Sequence, residues 1–167
     1  YKRQALAHTV NAPAVPGTYE TWVELPTTAT IAPGSIFRVV HSQATLELLN
    51  NADFTYSSLS NGDDGFGLVY GTPTDFDLLD IIGDWNADPG SGWPVAGVEN
   101  ATANHTLIRK PGVLDGNNGD WIASAGTNEA DSEWVVLESD DWSNFGMHSA
   151  DGTCSTEVEV SEDVMGC

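Results

Sequence analysis

The chain has 167 residues, with five Lys and Arg set against 25 Asp and Glu, for a formal net charge of −20. That length suits one domain with a sizeable core, alone or with a tail. The charge argues against duplex nucleic acid and anionic membrane as partners of this segment, because affinity for phosphate polymers comes mainly from Lys and Arg. The acids are scattered through turns, which fits solvation in a salty or extracellular setting or, alternatively, a cation-binding surface. No apolar run reaches the length of a membrane span, so no membrane insertion is expected. Opening at Tyr1 instead of Met, the chain reads as a processed or partial segment, for which a missing signal sequence says little about secretion.

Short apolar runs alternate with Gly, Asn, Asp and Pro, the signature of short strands joined by tight turns. Residues 19–25 alternate with period two, placing Tyr19, Thr21, Val23 and Leu25 on one face and Trp22 on the other. The Pro33-Gly34 turn leads into a β-branched run over residues 35–40, expected to be a core strand. A short helix is expected over residues 45–50, with Leu46, Leu48 and Leu49 available to seat it on a sheet. After the turn at residues 61–65, residues 66–70 and 76–82 form a hairpin through Gly71-Thr72-Pro73-Thr74. Further strands follow around residues 104–110 and 132–136, giving at least six strands around one core. Helical periodicity is nowhere sustained, so an all-β fold is predicted.

Residues 149–167 differ in character. Glu157, Glu159, Glu162 and Asp163 stand beside Val158, Val160 and Val164, and both cysteines, Cys154 and Cys167, lie here. The segment reads as an acidic linker, an edge strand leading into a following module, or a frayed tail. In an oxidising compartment the two cysteines are disulfide candidates, with each other or with residues beyond this chain; in the cytosol they stay thiols. The domain boundary is therefore set between residues 148 and 149.

Candidate sites are few. Asp84, Asn86 and Asp88 alternate as calcium-loop ligands do, but an EF-hand needs Gly and later Glu where Pro89 and Val95 stand. Turn hydrogen bonding is the preferred reading of this set, with calcium as the alternative. The same choice applies to Asp115, Asn117 and Asp120, and to Asp63 and Asp64 in the turn permitted by Gly62 and Gly65. Asn100-Ala101-Thr102 and Asn104-His105-Thr106 satisfy the N-glycosylation rule, so Asn100 and Asn104 are acceptors if the protein is secreted by a eukaryote; otherwise Asn104 and Thr106 serve the fold. His8, His41, His105 and His148 are too far apart in sequence to suggest zinc, and structural or surface roles are expected. Nucleophile-elbow, phosphate-loop and His-Glu-x-x-His patterns are lacking, so no catalytic residue and no organic cofactor is assigned. The six tryptophans fit core and rim packing better than a carbohydrate-stacking platform, with Trp85 the one expected to be exposed.

Taken together, Asn61-Gly62-Asp63-Asp64, Asp80-Ile81-Ile82-Gly83, Asp88-Pro89-Gly90-Ser91-Gly92-Trp93, Asn104-His105-Thr106-Leu107-Ile108-Arg109-Lys110, Asp120-Trp121 and Ser132-Glu133-Trp134 resemble the lamin-tail domain. The likeness is to its secreted bacterial branch, found beside extracellular nuclease and phosphatase-like domains and in surface proteins. Residues 19–53 match more loosely, and the resemblance covers about four-fifths of the chain. It implies an immunoglobulin-like β-sandwich without a catalytic site, serving structural, adhesive or targeting roles. The family's opening strands, with a Glu-Leu-Tyr-Asn type motif, have no counterpart before Tyr19; either they lie upstream of Tyr1 or another chain supplies them. A sandwich lacking them leaves an open edge suited to strand donation. Asp84-Trp85-Asn86 also departs from the family pattern, where smaller and less acidic residues precede Asp88-Pro89-Gly90.

The leading expectation is a non-enzymatic extracellular or cell-surface module that docks other protein chains, copies of itself among the candidates, in a larger surface protein or filament. The alternatives are an accessory domain of a secreted nuclease- or phosphatase-type hydrolase, or a calcium- or carbohydrate-binding module.

Overall fold

The computed structural model of the chain describes residues 3–148, apart from Ala12 and Pro33. Cys154, Cys167 and the acidic segment they belong to lie outside the described residues. The elements in order are β1 (Arg3–Thr9), β2 (Thr21–Glu24), β3 (Val39–His41), α1 (Leu46–Leu49), β4 (Phe54–Tyr56), β5 (Gly65–Thr72), β6 (Asp75–Ile82), α2 (Ala101–Asn104), β7 (His105–Arg109), α3 (Trp121–Ala125) and β8 (Trp134–Ser139). A four-stranded antiparallel sheet runs β2-β1-β5-β6. Two ribbons accompany it, β3 with β4 in parallel and β7 with β8 antiparallel. Among the described residues the regular structure is thus mostly strand, with three short helices, in line with the all-β expectation.

One face of the sheet explains its small residues. Ala5 pairs with Val69, Ala7 with Gly67 and Thr9 with Gly65, so a stripe without bulky side chains crosses β1 and β5. Trp85 lies on this stripe: a Cβ on Gly67 would sit 2.7 Å from its Cζ2, and one on Gly65 2.8 Å from its Cδ1. The indole is 5% exposed and its Nε1 donates to the Gly65 carbonyl at 3.1 Å. Tyr19 and Phe76 pack around it, with ring centroids at 5.9 and 6.3 Å. Burying an aromatic of this size contributes roughly 4–6 kcal/mol as an upper bound. Trp85 is therefore a core residue, and its expected exposure is corrected; Trp142 is the exposed tryptophan, at 58%.

The same core continues through Ile81, Val95, Trp121 and Trp134, with Leu107 and Val136 of the β7–β8 ribbon packed against it. The opposite face of the sheet carries His8 and Phe66, whose rings stack at 4.6 Å, and His8 Nε2 reaches Tyr56 Oη of β4 at 2.8 Å. The two ribbons thus meet the sheet by different chemistry, the β7–β8 ribbon through apolar packing joined by an Arg109–Asp80 ion pair and the β3–β4 ribbon through a histidine–tyrosine bridge.

Several expectations are refined. β1 fills the stretch before Tyr19, which carries no conventional strand signal because Ala5 and Ala7 are small to admit Trp85. Tyr19 precedes β2 instead of sharing its alternation, and its ring lies 5.6 Å from that of Trp22, on the same cluster. The hairpin of β5 and β6 turns at Pro73-Thr74, with a bulge that leaves Leu79 without a ladder partner. Of the expected strand over 35–40, only residues 39 and 40 pair with a neighbour, and the pairing extends to His41. The helix over residues 45–50 forms as α1, but it buries no residue and Leu46 is exposed. Residues 101–104 turn as α2 before β7 begins, because Asn100 adopts a left-handed conformation that redirects the chain.

Candidate functional site

The most developed polar constellation centres on Arg109. Its Nη2 donates to both Asp80 oxygens at 2.8 Å, its Nη1 donates to Glu133 Oε2 at 2.9 Å, and its guanidinium lies 4.1 Å from the Trp134 ring centroid. The Arg109 side chain is 11% exposed, and the two carboxylates are about a third exposed. Both acids hold further donors: Asp80 Oδ1 accepts from the amides of Ile81 and Asn117 at 3.1 and 3.0 Å, and Glu133 Oε2 from Ser124 Oγ at 2.5 Å. Ser124 in turn accepts from Trp134 Nε1 at 3.0 Å. One arginine therefore joins β6, β7, α3 and the start of β8. One cation faces two carboxylates, a net charge of about −1, and each carboxylate is further held by neighbouring donors, so the cluster fastens layers. Sequence reasoning had not picked out this role. The available signal was an Arg-Lys pair at the end of a strand, in a chain with five basic residues.

The calcium candidates act as turn residues. Asp84 Oδ1 accepts from the Asn86 amide and side chain at 2.8 and 2.7 Å, while Asp88 Oδ1 accepts from the Gly90 amide at 2.7 Å. Among the described residues, no group of three or more His, Cys, Asp and Glu side chains is placed to hold a metal ion. Asp115, Asn117 and Asp120 separate by role. Asn117 bridges to β6, accepting from Ile81 N at 3.0 Å and donating to Ile81 O at 2.8 Å, whereas Asp120 caps α3 by accepting from Ala123 N at 3.1 Å. Asp64 Oδ1 accepts the Asn11 amide at 2.9 Å. Neighbouring Asp63 is buried, and its Oδ1 has no hydrogen-bond partner among the described residues.

Both glycosylation candidates, Asn100 and Asn104, are exposed. The hydroxyl of Thr102 bridges Gly62 O and Trp93 N at 2.5 and 2.7 Å, and Thr106 Oγ1 donates to Asp141 O at 2.6 Å, so both threonines also serve the fold. His41 and His105 each reach a backbone carbonyl, of Ser57 at 2.8 Å and of Leu137 at 2.7 Å. His8 is 1% exposed, and burial lowers its pKa below the ordinary 6.5. Asp131 is held below its ordinary value by Thr127 and Asn128, which it accepts from across a tight loop.

The sheet edges differ. β6 is closed along Leu79 and Ile81, where Asn118 N donates to Leu79 O at 3.1 Å beside the Asn117 bridge. β2 has β1 on one side and, among the described residues, no strand on the other.

No protein-family model, curated protein or solved structure matches the chain.

Proposed function

We propose that this chain is a non-enzymatic structural or adhesive module of an extracellular or cell-surface protein, an immunoglobulin-like sandwich of lamin-tail type that docks other protein chains. The observation that carries the proposal is the asymmetry of the sheet, closed by a loop at β6 and, among the described residues, open at β2. An unpaired edge is a template for strand addition, and proteins that do not use one usually cover it. Support also comes from the motifs that resemble the lamin-tail domain and from a net charge of −20, which keeps such a surface soluble until a complementary partner arrives.

The test is cryo-electron microscopy of the protein in its native assembly. A strand from another chain along the outer edge of β2 is the expected result. A bare β2 edge, in a domain whose only neighbour is a hydrolase on the same polypeptide, overturns the proposal in favour of an accessory domain.

A further inference from the structure

Residues 35–40 have the β-branched composition of a core strand, yet only Val39–His41 pairs, and only with β4. Ile36 and Phe37 are half-buried, and no strand lies beside them among the described residues. β7 likewise has β8 as its single neighbour. Among the described residues, two ribbons are therefore half-finished.

A groove runs between the residues leading into β3, α1 and β7. One cleft of about 660 Å³ is bordered by Arg38, Leu48, Trp142 and Phe145. It adjoins a second of about 270 Å³ through Trp142 and Phe145, and a third of about 410 Å³ through Arg38 and Gly146. Residues 106–109 all line the second cleft. Side chains alternate between faces along a strand, so four successive lining residues mean that the edge of β7, with its backbone amides and carbonyls, borders the cleft. Trp142 and Met147 are 58% and 47% exposed along the same stretch, a placement that leaves large apolar surface in water without return.

The electrostatics specify what would fit. Both arginines at the groove are already neutralised, Arg38 by Asp53 at 2.9 Å and Arg109 by Asp80 and Glu133. Glu47 and Asp141 remain on the lining, within a chain of net charge −20. We infer that the groove between residues 36–38, α1 and β7 accepts an extended segment of another protein chain, apolar at alternate positions and basic between them. Such a segment meets unpaired backbone at the β7 edge, places its apolar side chains against Trp142 and Phe145, and sets its cations against the acidic rim. The inference rests on the assembly reading above but names a different surface from β2.

The experiment is hydrogen exchange by mass spectrometry on the full chain with two synthetic octapeptides, one alternating Val and Lys and one alternating Ser and Lys. The Val–Lys peptide is expected to slow exchange at residues 36–38 and 106–109 at least tenfold. Trp142→Ala, with an unchanged circular-dichroism spectrum and melting temperature as the folding control, is expected to weaken that peptide tenfold or more. Equal protection by the Ser–Lys peptide overturns the inference, because charge alone would then suffice. Protection confined to β2 overturns the groove while leaving strand addition standing, and protection nowhere overturns the groove outright. Concentration-dependent protection of the same amides without peptide overturns the basic partner in favour of a second copy of this chain.

Discussion

Arg109→Met removes the guanidinium while keeping a stem of similar length, and its cost follows from the bonds lost. Contacts to Asp80 and to Glu133 disappear, along with the cation–π contact to Trp134 at 4.1 Å. Hydrogen bonds to charged groups contribute about 1.5–3 kcal/mol when buried, but these carboxylates are about a third exposed, so solvent screening reduces each to about 1 kcal/mol. The cation–π contact adds roughly 1 kcal/mol in a partly desolvated setting. Asp80 and Glu133 keep their bonds to Ile81, Asn117 and Ser124, which limits the penalty for stranding them. The sum is about 3 kcal/mol, read as a lower urea midpoint at unchanged slope. Arg109→Lys should lose most of the same amount, since one ammonium cannot fork to two carboxylates. A double-mutant cycle with Glu133→Gln should return a coupling of about 1 kcal/mol. A cost below about 1 kcal/mol for Arg109→Met, or a Lys variant as stable as the parent, would refute the clasp as the fastening between layers.

Gly67→Ala places a Cβ 2.7 Å from both Trp85 Cζ2 and Leu78 Cδ1; overpacking of this kind costs about 1–3 kcal/mol, a melting temperature lower by roughly 3–10 °C. A thermal scan showing no change would mean that Trp85 does not press on the sheet. His8 gives a pH dependence with a definite sign. Burial lowers its folded pKa below 6.5, so the unfolded chain binds more protons in the window beneath that value. Stability is therefore present above pH 6.5 and falls with acidification toward the folded pKa, by at most about 1.4 kcal/mol per pH unit. Asp64 and Glu20 oppose this by favouring the cation, and His8→Phe should flatten the slope. Equal slopes for parent and variant in denaturant titrations across that window would refute it.

Much of the strand content was legible in the sequence because it depends on local signals. The β5–β6 hairpin, the turn at residues 61–65 and the strands near residues 107 and 135 follow from β-branched runs punctuated by Gly, Asn and Pro. β1 was not legible, since Ala5, Ala7 and the glycines opposite them carry no strand propensity and make sense only with the indole of Trp85 lying on them. The helical turns of α2 and α3 were hidden for a related reason: each is about one turn long, held by a single left-handed Asn100 or by the Asp120 cap, too short to leave a period.

For the candidate site the division is similar. Sequence alone settled the charge of −20, the positions of the sequons at Asn100 and Asn104, and the lack of the catalytic spacings sought, because composition and local motifs need no third dimension. Which acids are spent on what was decided only by tertiary structure. Asp84 and Asp88 close their own turns, whereas Asp80 and Glu133, 53 residues apart in the chain, converge on Arg109. The open edge of β2 and the groove between residues 36–38, α1 and β7 likewise belong to no local segment. An edge is defined by the neighbour a strand lacks, and that is a property of the assembled sheet.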